Sequence, residues 1–132
     1  MITARIIQII SGIAGLGALI LGLLIWTIDA NVTNIHMLLG LIVTLALLVM
    51  SIIAVSTRNM RTWGIVGIVY AVIVPIFGLT QVNMLTGNLH WLIETAHMLV
   101  GIGALALTGI MGARYIALKR TIATPAESQV VR

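Results

Sequence analysis

The stretch IHMLLGLIVTLALLVMSIIAV, residues 35–55, contains no Asp, Glu, Lys or Arg. A helix of this length covers about 30 Å, which is the thickness of the hydrocarbon core of a bilayer. A surface helix of a soluble domain would instead carry charged or polar residues along one face. Residues 35–55 therefore predict a transmembrane helix.

Three further apolar stretches have the length of a membrane span, and together with the first they occupy most of the 132 residues: about 6–28, 63–82 and 89–117. Only 8% of the residues are charged, whereas about 25% are charged in a typical soluble domain. The chain therefore has too few charged residues to cover a water-facing surface. We expect an all-α membrane domain over residues 1–120, a four-helix up-down bundle in the lipid bilayer, followed by a flexible cytoplasmic tail over residues 121–132.

The basic residues indicate the orientation of this bundle. They lie before the first span, between the second and third, or near and after the end of the fourth: Arg5, Arg58, Arg61, Arg114, Lys119, Arg120 and Arg132. The connections 29–34 and 81–88 contain neither Lys nor Arg. The positive-inside rule then places both termini in the cytoplasm of a prokaryote, with the protein in its plasma membrane. Because topology accounts for the net charge of +4, we expect no nucleic-acid partner.

An internal repeat connects the second and fourth spans. The sequence HMLLG at residues 36–40 returns as HMLVG at residues 97–101, 61 positions later. The same offset carries Gly17 of the first span onto Gly78 of the third. The pattern predicts a duplicated helical hairpin, although Leu, Met and Gly also recur by chance in membrane helices.

The repeat places His36 and His97 at similar depths near the outer face, on diagonal helices of the bundle. Two facing imidazoles suit axial ligation of one iron, and haem b is the cofactor we expect. Gly40 and Gly101 follow their histidines by one helical turn, and we expect them to leave room for the flat macrocycle. The alternatives are a hydrogen-bonded histidine pair with glycines that permit close helix packing, or another metal or proton site.

Two more polar residues precede His97 on the same helix face, His90 and Glu94. Glu94 and His97 have the E-x-x-H spacing of di-iron bundles, but three acidic residues in the whole chain are too few for a di-iron site. Glu94 would instead orient an imidazole or interact with a haem propionate, unless it is only an interfacial charge. We interpret His90 as a solvated interfacial residue.

Four helices with a histidine near the outer start of the second and fourth resemble one half of haem A synthase. That family is built of duplicated four-helix bundles that hold haem between two such histidines, and half-size members with one bundle exist. Glu94-Thr95-Ala96-His97 reproduces the family's acidic residue three positions before a ligand histidine. The resemblance implies His36 and His97 as axial ligands and Glu94 as a catalytic acidic partner.

The sequence also departs from this family. Asn34 and Ile35 precede His36, where the family carries its acidic residue before the first ligand. Met37 and Met98 stand where the family usually has an arginine. The chain contains no cysteine and therefore lacks the outer-loop cysteine pair of some family members. These departures favour haem binding over oxidation of a haem methyl group.

Three hypotheses for function remain, and whether the protein is an enzyme stays open. The first is a b-type cytochrome or haem-handling assembly subunit with bis-histidine ligation near the outer face. The second is a cofactor-free accessory subunit of a larger respiratory or photosynthetic complex. The third is a haem-modifying enzyme similar to haem A synthase. A larger complex or a homodimer is the expected assembly.

Overall fold

The computed structural model describes the backbone of residues 1–130 and the side chains of residues 1–122. The described chain consists of four long helices and one short 3₁₀ turn, and it contains no strand. The helices are α1 (Ile2–Ile28), α2 (Thr33–Val55), α3 (Arg61–Thr80) and α4 (His90–Val130), and the 3₁₀ turn is Gln81–Asn83. Each long helix has the length and apolar composition needed to cross a membrane. The all-α prediction is confirmed, and the four helices indicate a multi-pass membrane protein.

The largest difference from the predicted boundaries is at the end of α4. The fourth span was expected to end near Ala117, but the helix continues to Val130. The residues just beyond the predicted end include Leu118, Lys119 and Arg120, which are strong helix formers. The backbone is therefore helical through most of the predicted tail at 121–132. The tail's flexibility stays a prediction, and residues 131 and 132 lie outside the described residues.

The α1–α2 and α3–α4 connections differ in length and conformation. Four residues separate α1 from α2, and α1 ends at Asp29 in the left-handed conformation (φ 52°) that Asp tolerates better than most residues. Nine residues separate α3 from α4, and they include Leu85 (φ 44°) and Gly87 (φ 95°). The α3–α4 connection is thus five residues longer, and its first three residues form the 3₁₀ turn Gln81–Asn83.

Helix α2 occupies the centre of the packing. It contacts α1, α3 and α4, whereas α1 and α3 make no contact with each other in the described chain. Leu47, Met50 and Met111 are fully buried in the core between α2 and α4. The buried hydroxyl of Ser51 donates a hydrogen bond to the carbonyl of Leu47, four residues earlier, so it places no unpaired donor in the core. Direct packing of α2 against α4 allows side chains on their facing sides to meet.

Candidate functional site: a histidine pair between α2 and α4

The imidazoles of His36 and His97 lie side by side between α2 and α4. Their ring centroids are 6.0 Å apart, and the ring planes are inclined by 60°. His36 lies in the first turn of α2, and His97 lies two turns into α4. The two rings that the sequence predicted to converge are therefore neighbours, while their ligation of haem stays a prediction.

The separation of the rings matches that of two axial ligands. When two imidazoles bind one metal ion from opposite sides through metal–nitrogen bonds of about 2 Å, their ring centres lie about 6 Å apart. Direct hydrogen bonding between the rings would bring two nitrogens to within about 3 Å, and the structure forms no hydrogen bond between the described side chains of His36 and His97. The spacing therefore excludes a direct hydrogen bond between the rings, and it is common to tilted packing of two rings and to two rings that share an ion.

The orientation of His36 is fixed by the backbone of α1. Its Nδ1 lies 2.9 Å from the carbonyl oxygen of Ala18. Because a carbonyl can only accept, Nδ1 carries the proton and donates, which leaves the lone pair of the neutral ring on Nε2. Metal-binding histidines commonly donate their second ring N–H to a carbonyl in this way. His36 is therefore held in the tautomer that binds a metal through Nε2.

Gly22 makes this hydrogen bond possible. It lies one turn after Ala18 on α1, and a Cβ atom at Gly22 would lie 3.1 Å from Cε1 of His36. A side chain at this position would push the imidazole away from the helix and from the carbonyl of Ala18. The absence of a side chain at Gly22 lets the ring lie directly on α1.

His97 lies against α3 in a similar way but has no matching hydrogen bond. A Cβ atom at Gly78 would lie 3.2 Å from Cε1 of His97, and the ring of Phe77 is 6.0 Å from the imidazole. The Nδ1 atom of His97 is buried and has no hydrogen-bond partner among the described residues. A buried polar atom without a partner costs about 1–3 kcal/mol, so the unpaired Nδ1 is a place where a water, an ion or another ligand would be stabilised.

The glycine equivalent to Gly78 is Gly22, not Gly17 as the 61-residue offset predicted. A Cβ at Gly17 would meet Cδ1 of Leu39 at 2.9 Å, away from the histidine pair. Gly22 precedes His36 by 14 residues and Gly78 precedes His97 by 19, and the five-residue difference equals the extra length of the α3–α4 connection. The prediction was wrong because a single offset cannot align both helices when the connections differ.

A signal for the correct alignment was present in the sequence. With an offset of 56 for the first helix of each hairpin, five residues of α1 are identical in α3: Arg5 with Arg61, Ile9 with Ile65, Ile20 with Ile76, Gly22 with Gly78, and Leu23 with Leu79. With the offset of 61 for the second helices, Met50 also matches Met111, and both methionines are fully buried. Comparing the hairpins with a gap in the connection would have found the two glycines.

Gly40 and Gly101 border open space. A Cβ atom at either residue would have no heavy atom within 4 Å, whereas Gly64 lies against the backbone of Val55 and Gly67 against the hydroxyl of Ser51. Close helix packing therefore explains Gly64 and Gly67 but does not explain Gly40 and Gly101. The space beside these two half-buried glycines, one turn from each imidazole, fits the predicted room for a macrocycle.

The other ionisable residues in this part of α4, His90 and Glu94, form no hydrogen bond with His36 or His97 in the described chain. Glu94 forms no hydrogen bond or ion pair with any described residue. Nδ1 of His90 lies 3.1 Å from the carbonyl of Met84 in the α3–α4 connection. The described residues contain no group of three or more His, Cys, Asp and Glu side chains that could hold a metal ion. An axial pair needs only two protein ligands, because the macrocycle supplies the remaining donors.

The helices and the paired imidazoles define a class: a multi-pass helical membrane protein with two histidines that meet inside its bundle. No family model, curated protein or solved structure matches the chain.

Proposed function

We propose that the protein is a haem-binding integral membrane protein, a b-type cytochrome or haem-handling assembly subunit, with His36 and His97 as axial ligands. The observation that carries this proposal is the 6.0 Å separation of two imidazoles presented by matched HML[LV]G motifs on α2 and α4. Such a cofactor would supply a one-electron couple between ferric and ferrous iron.

The neighbouring residues have defined roles in this proposal. The carbonyl of Ala18 holds the proton on Nδ1 of His36, so Nε2 and its lone pair would be the atom that binds the iron. Gly22 and Gly78 let the imidazoles lie close to α1 and α3. Gly40 and Gly101 leave space for the edge of the macrocycle.

The proposal includes an up-down bundle that arose from a duplicated hairpin. Along two neighbouring helices, later residues of one contact earlier residues of the other. This antiparallel order supports an alternating, up-down arrangement. Along α1 and α4, Gln8 donates to the carbonyl of Gly109, and the later Gly15 lies against the earlier Leu105. Along α3 and α4, Gly67 lies against Met111, and the later Tyr70 donates to the carbonyl of the earlier Val100. The basic residues would then lie at one end, in the cytoplasm of a prokaryote.

The orientation can be tested by single-cysteine labelling, because the natural chain contains no cysteine. In intact cells, Asn31→Cys in the α1–α2 connection should react with a membrane-impermeant maleimide. Asn59→Cys in the α2–α3 connection should react only after the membrane is made permeable. The opposite result would overturn the proposed placement of both termini in the cytoplasm.

The haem proposal is tested by absorption spectra of protein purified from cells supplied with haem. We expect the oxidised and reduced bands of a six-coordinate low-spin b-type haem. His36→Ala and His97→Ala should each lose or change these bands, and His90→Ala should retain them. A colourless wild-type protein would overturn the proposal, as would unchanged spectra in both ligand variants.

The same experiment separates the other functions. A colourless protein that co-purifies with a larger respiratory or photosynthetic complex would support the accessory subunit. A changed haem species in the expressing cells, lost on Glu94→Ala, would support the haem-modifying enzyme. The present structure does not favour this enzyme, because Glu94 makes no polar contact with His97.

A further inference from the structure

A cavity lies at the opposite end of the bundle from the histidine pair. It has a volume of about 500 Å³ and lies between the end of α2 and the later part of α4, beside the α2–α3 connection. Two cationic side chains, Arg58 and Lys119, line this cavity. No Asp or Glu is among its described lining residues, so the described part of the lining carries a net positive charge.

The two cations are available to a ligand. Arg58 forms no hydrogen bond, ion pair or ring contact with any described residue. The ammonium group of Lys119 lies 5.8 Å from the ring centre of Tyr115, a distance that leaves its three N–H donors unpaired within the described chain. By contrast, Arg114 is held 4.5 Å over the ring of Trp63 and does not line the cavity.

The hydroxyl groups beside the cations have already used their protons. Ser56 donates to the carbonyl of Ile52 at 3.0 Å, and Thr57 donates to the carbonyl of Ile53 at 2.8 Å. Among the described lining side chains, the donors that remain for a ligand are the two cations and the hydroxyl of Tyr115. This donor set suits an anion with several acceptor oxygens, such as a phosphate.

The rest of the cavity wall is apolar and faces outward from the protein. Ile52 and Ile122 are 53% and 71% exposed, and Leu118 lies in the same lining. Ile52 is in α2, one turn before the α2–α3 connection that contains Arg58. A cationic end joined to an exposed apolar wall matches a molecule with an anionic head and a hydrocarbon chain.

We propose that this cavity binds an anionic phospholipid. Arg58 and Lys119 bind the phosphate of the headgroup, and an acyl chain lies along Ile52, Leu118 and Ile122. Basic pockets between helices near the membrane surface bind such lipids by the same combination of charge and apolar contact. The site depends on the protein being a membrane protein, and it is independent of haem.

The test measures the thermal unfolding of the purified full-length protein in detergent with added lipid. Phosphatidylglycerol should raise the unfolding midpoint, and phosphatidylcholine, which has no net charge, should not. Arg58→Gln with Lys119→Gln should bind phosphatidylglycerol about 30-fold more weakly, because each cation near the membrane surface contributes about five- to sixfold to attraction of anionic lipid. The matched control Arg5→Gln with Arg61→Gln removes the same charge outside the cavity and should retain the affinity.

Two further arms distinguish lipid binding from binding of free phosphate and from misfolding of the variant. Inorganic phosphate at the same concentration should give no comparable shift, and an equal shift would overturn the role of the acyl chain. The charge-keeping pair Arg58→Lys with Lys119→Arg should bind the lipid. This result would attribute the lost binding of the neutral pair to its missing charges and not to disruption of the cavity. Equal loss of binding in the cavity pair and the control pair would overturn the proposed site.

Discussion

The hairpins α1–α2 and α3–α4 present their histidines in the same way but fix them differently. In each hairpin a glycine of the first helix lies against Cε1 of the imidazole, Gly22 for His36 and Gly78 for His97. His36 also donates to the carbonyl of Ala18, whereas Nδ1 of His97 is buried and unpaired in the described chain. The position of the imidazole and the control of its tautomer are therefore separate features of each hairpin.

The connections show what determines the position of the rings. The α3–α4 connection is five residues longer than the α1–α2 connection, and yet both imidazoles meet a glycine of the preceding helix. Contacts between the helices therefore set the position of the rings, and the connections only span the distance. Four predictions test how far the equivalence of the hairpins extends.

The largest effect is expected from leucine at the two glycines that face the histidines. Gly22→Leu and Gly78→Leu place a branched side chain where a Cβ alone would lie 3.1 or 3.2 Å from an imidazole carbon. Each variant should lose most of its bound haem, measured as haem absorbance per mole of protein. Overpacking should also destabilise each variant by about 1–3 kcal/mol.

Gly12→Leu is the matched control for these two variants, because a Cβ at Gly12 meets nothing within 4 Å. It should retain its haem. If only one of the two histidine-facing glycines is sensitive to leucine, the hairpins are not equivalent.

The next effect separates cofactor space from helix packing. Gly40→Leu and Gly101→Leu add a side chain where the structure has open space. Haem content should fall, while the stability of the haem-free protein should stay within about 0.5 kcal/mol of wild type. Gly67→Leu, which collides with Ser51, should instead destabilise the haem-free protein. A large loss of stability in the first two variants would contradict the role in cofactor binding.

A smaller effect tests the unpaired nitrogen. A Cβ at Gly78 would lie 3.9 Å from Nδ1 of His97, close enough for a serine hydroxyl to reach that nitrogen. Gly78→Ser should therefore be more stable than Gly78→Ala by about 1 kcal/mol, measured by denaturant unfolding of the haem-free protein. Gly22→Ser and Gly22→Ala should not differ in this way, because Nδ1 of His36 already has a partner. Equal differences in both hairpins would show that the serine acts by another route.

The smallest effect is expected at Glu94. Its carboxyl group makes no hydrogen bond or ion pair with a described residue, so Glu94→Gln should leave the haem spectrum and haem content unchanged. His97→Gln, three residues later, is the comparison and should change the spectrum. Loss of haem in Glu94→Gln would show that the carboxyl group contacts the cofactor or orients a ligand.

The four helices were predictable because an apolar run of bilayer length has few other stable structures. The convergence of His36 and His97 was predictable because the repeated HML[LV]G motif puts a histidine at equivalent positions of α2 and α4. Ala18, Gly22 and Phe77 were missed, because contacts between helices depend on their rotation and on the lengths of their connections. The continuation of α4 beyond Ala117 was missed because helix formers such as Leu118, Lys119 and Arg120 prolong the helix past the apolar run that defines a membrane span.

The division of the two imidazoles between two like hairpins bears on the origin of the site. A two-helix chain that paired with a copy of itself about a two-fold axis would bring two identical histidines together without any further helix. In such an ancestor, one substitution would alter both sides at once. Under the proposed duplication, fusion of the copies would let each side change alone, and the longer α3–α4 connection and the unpaired Nδ1 of His97 would be two such changes.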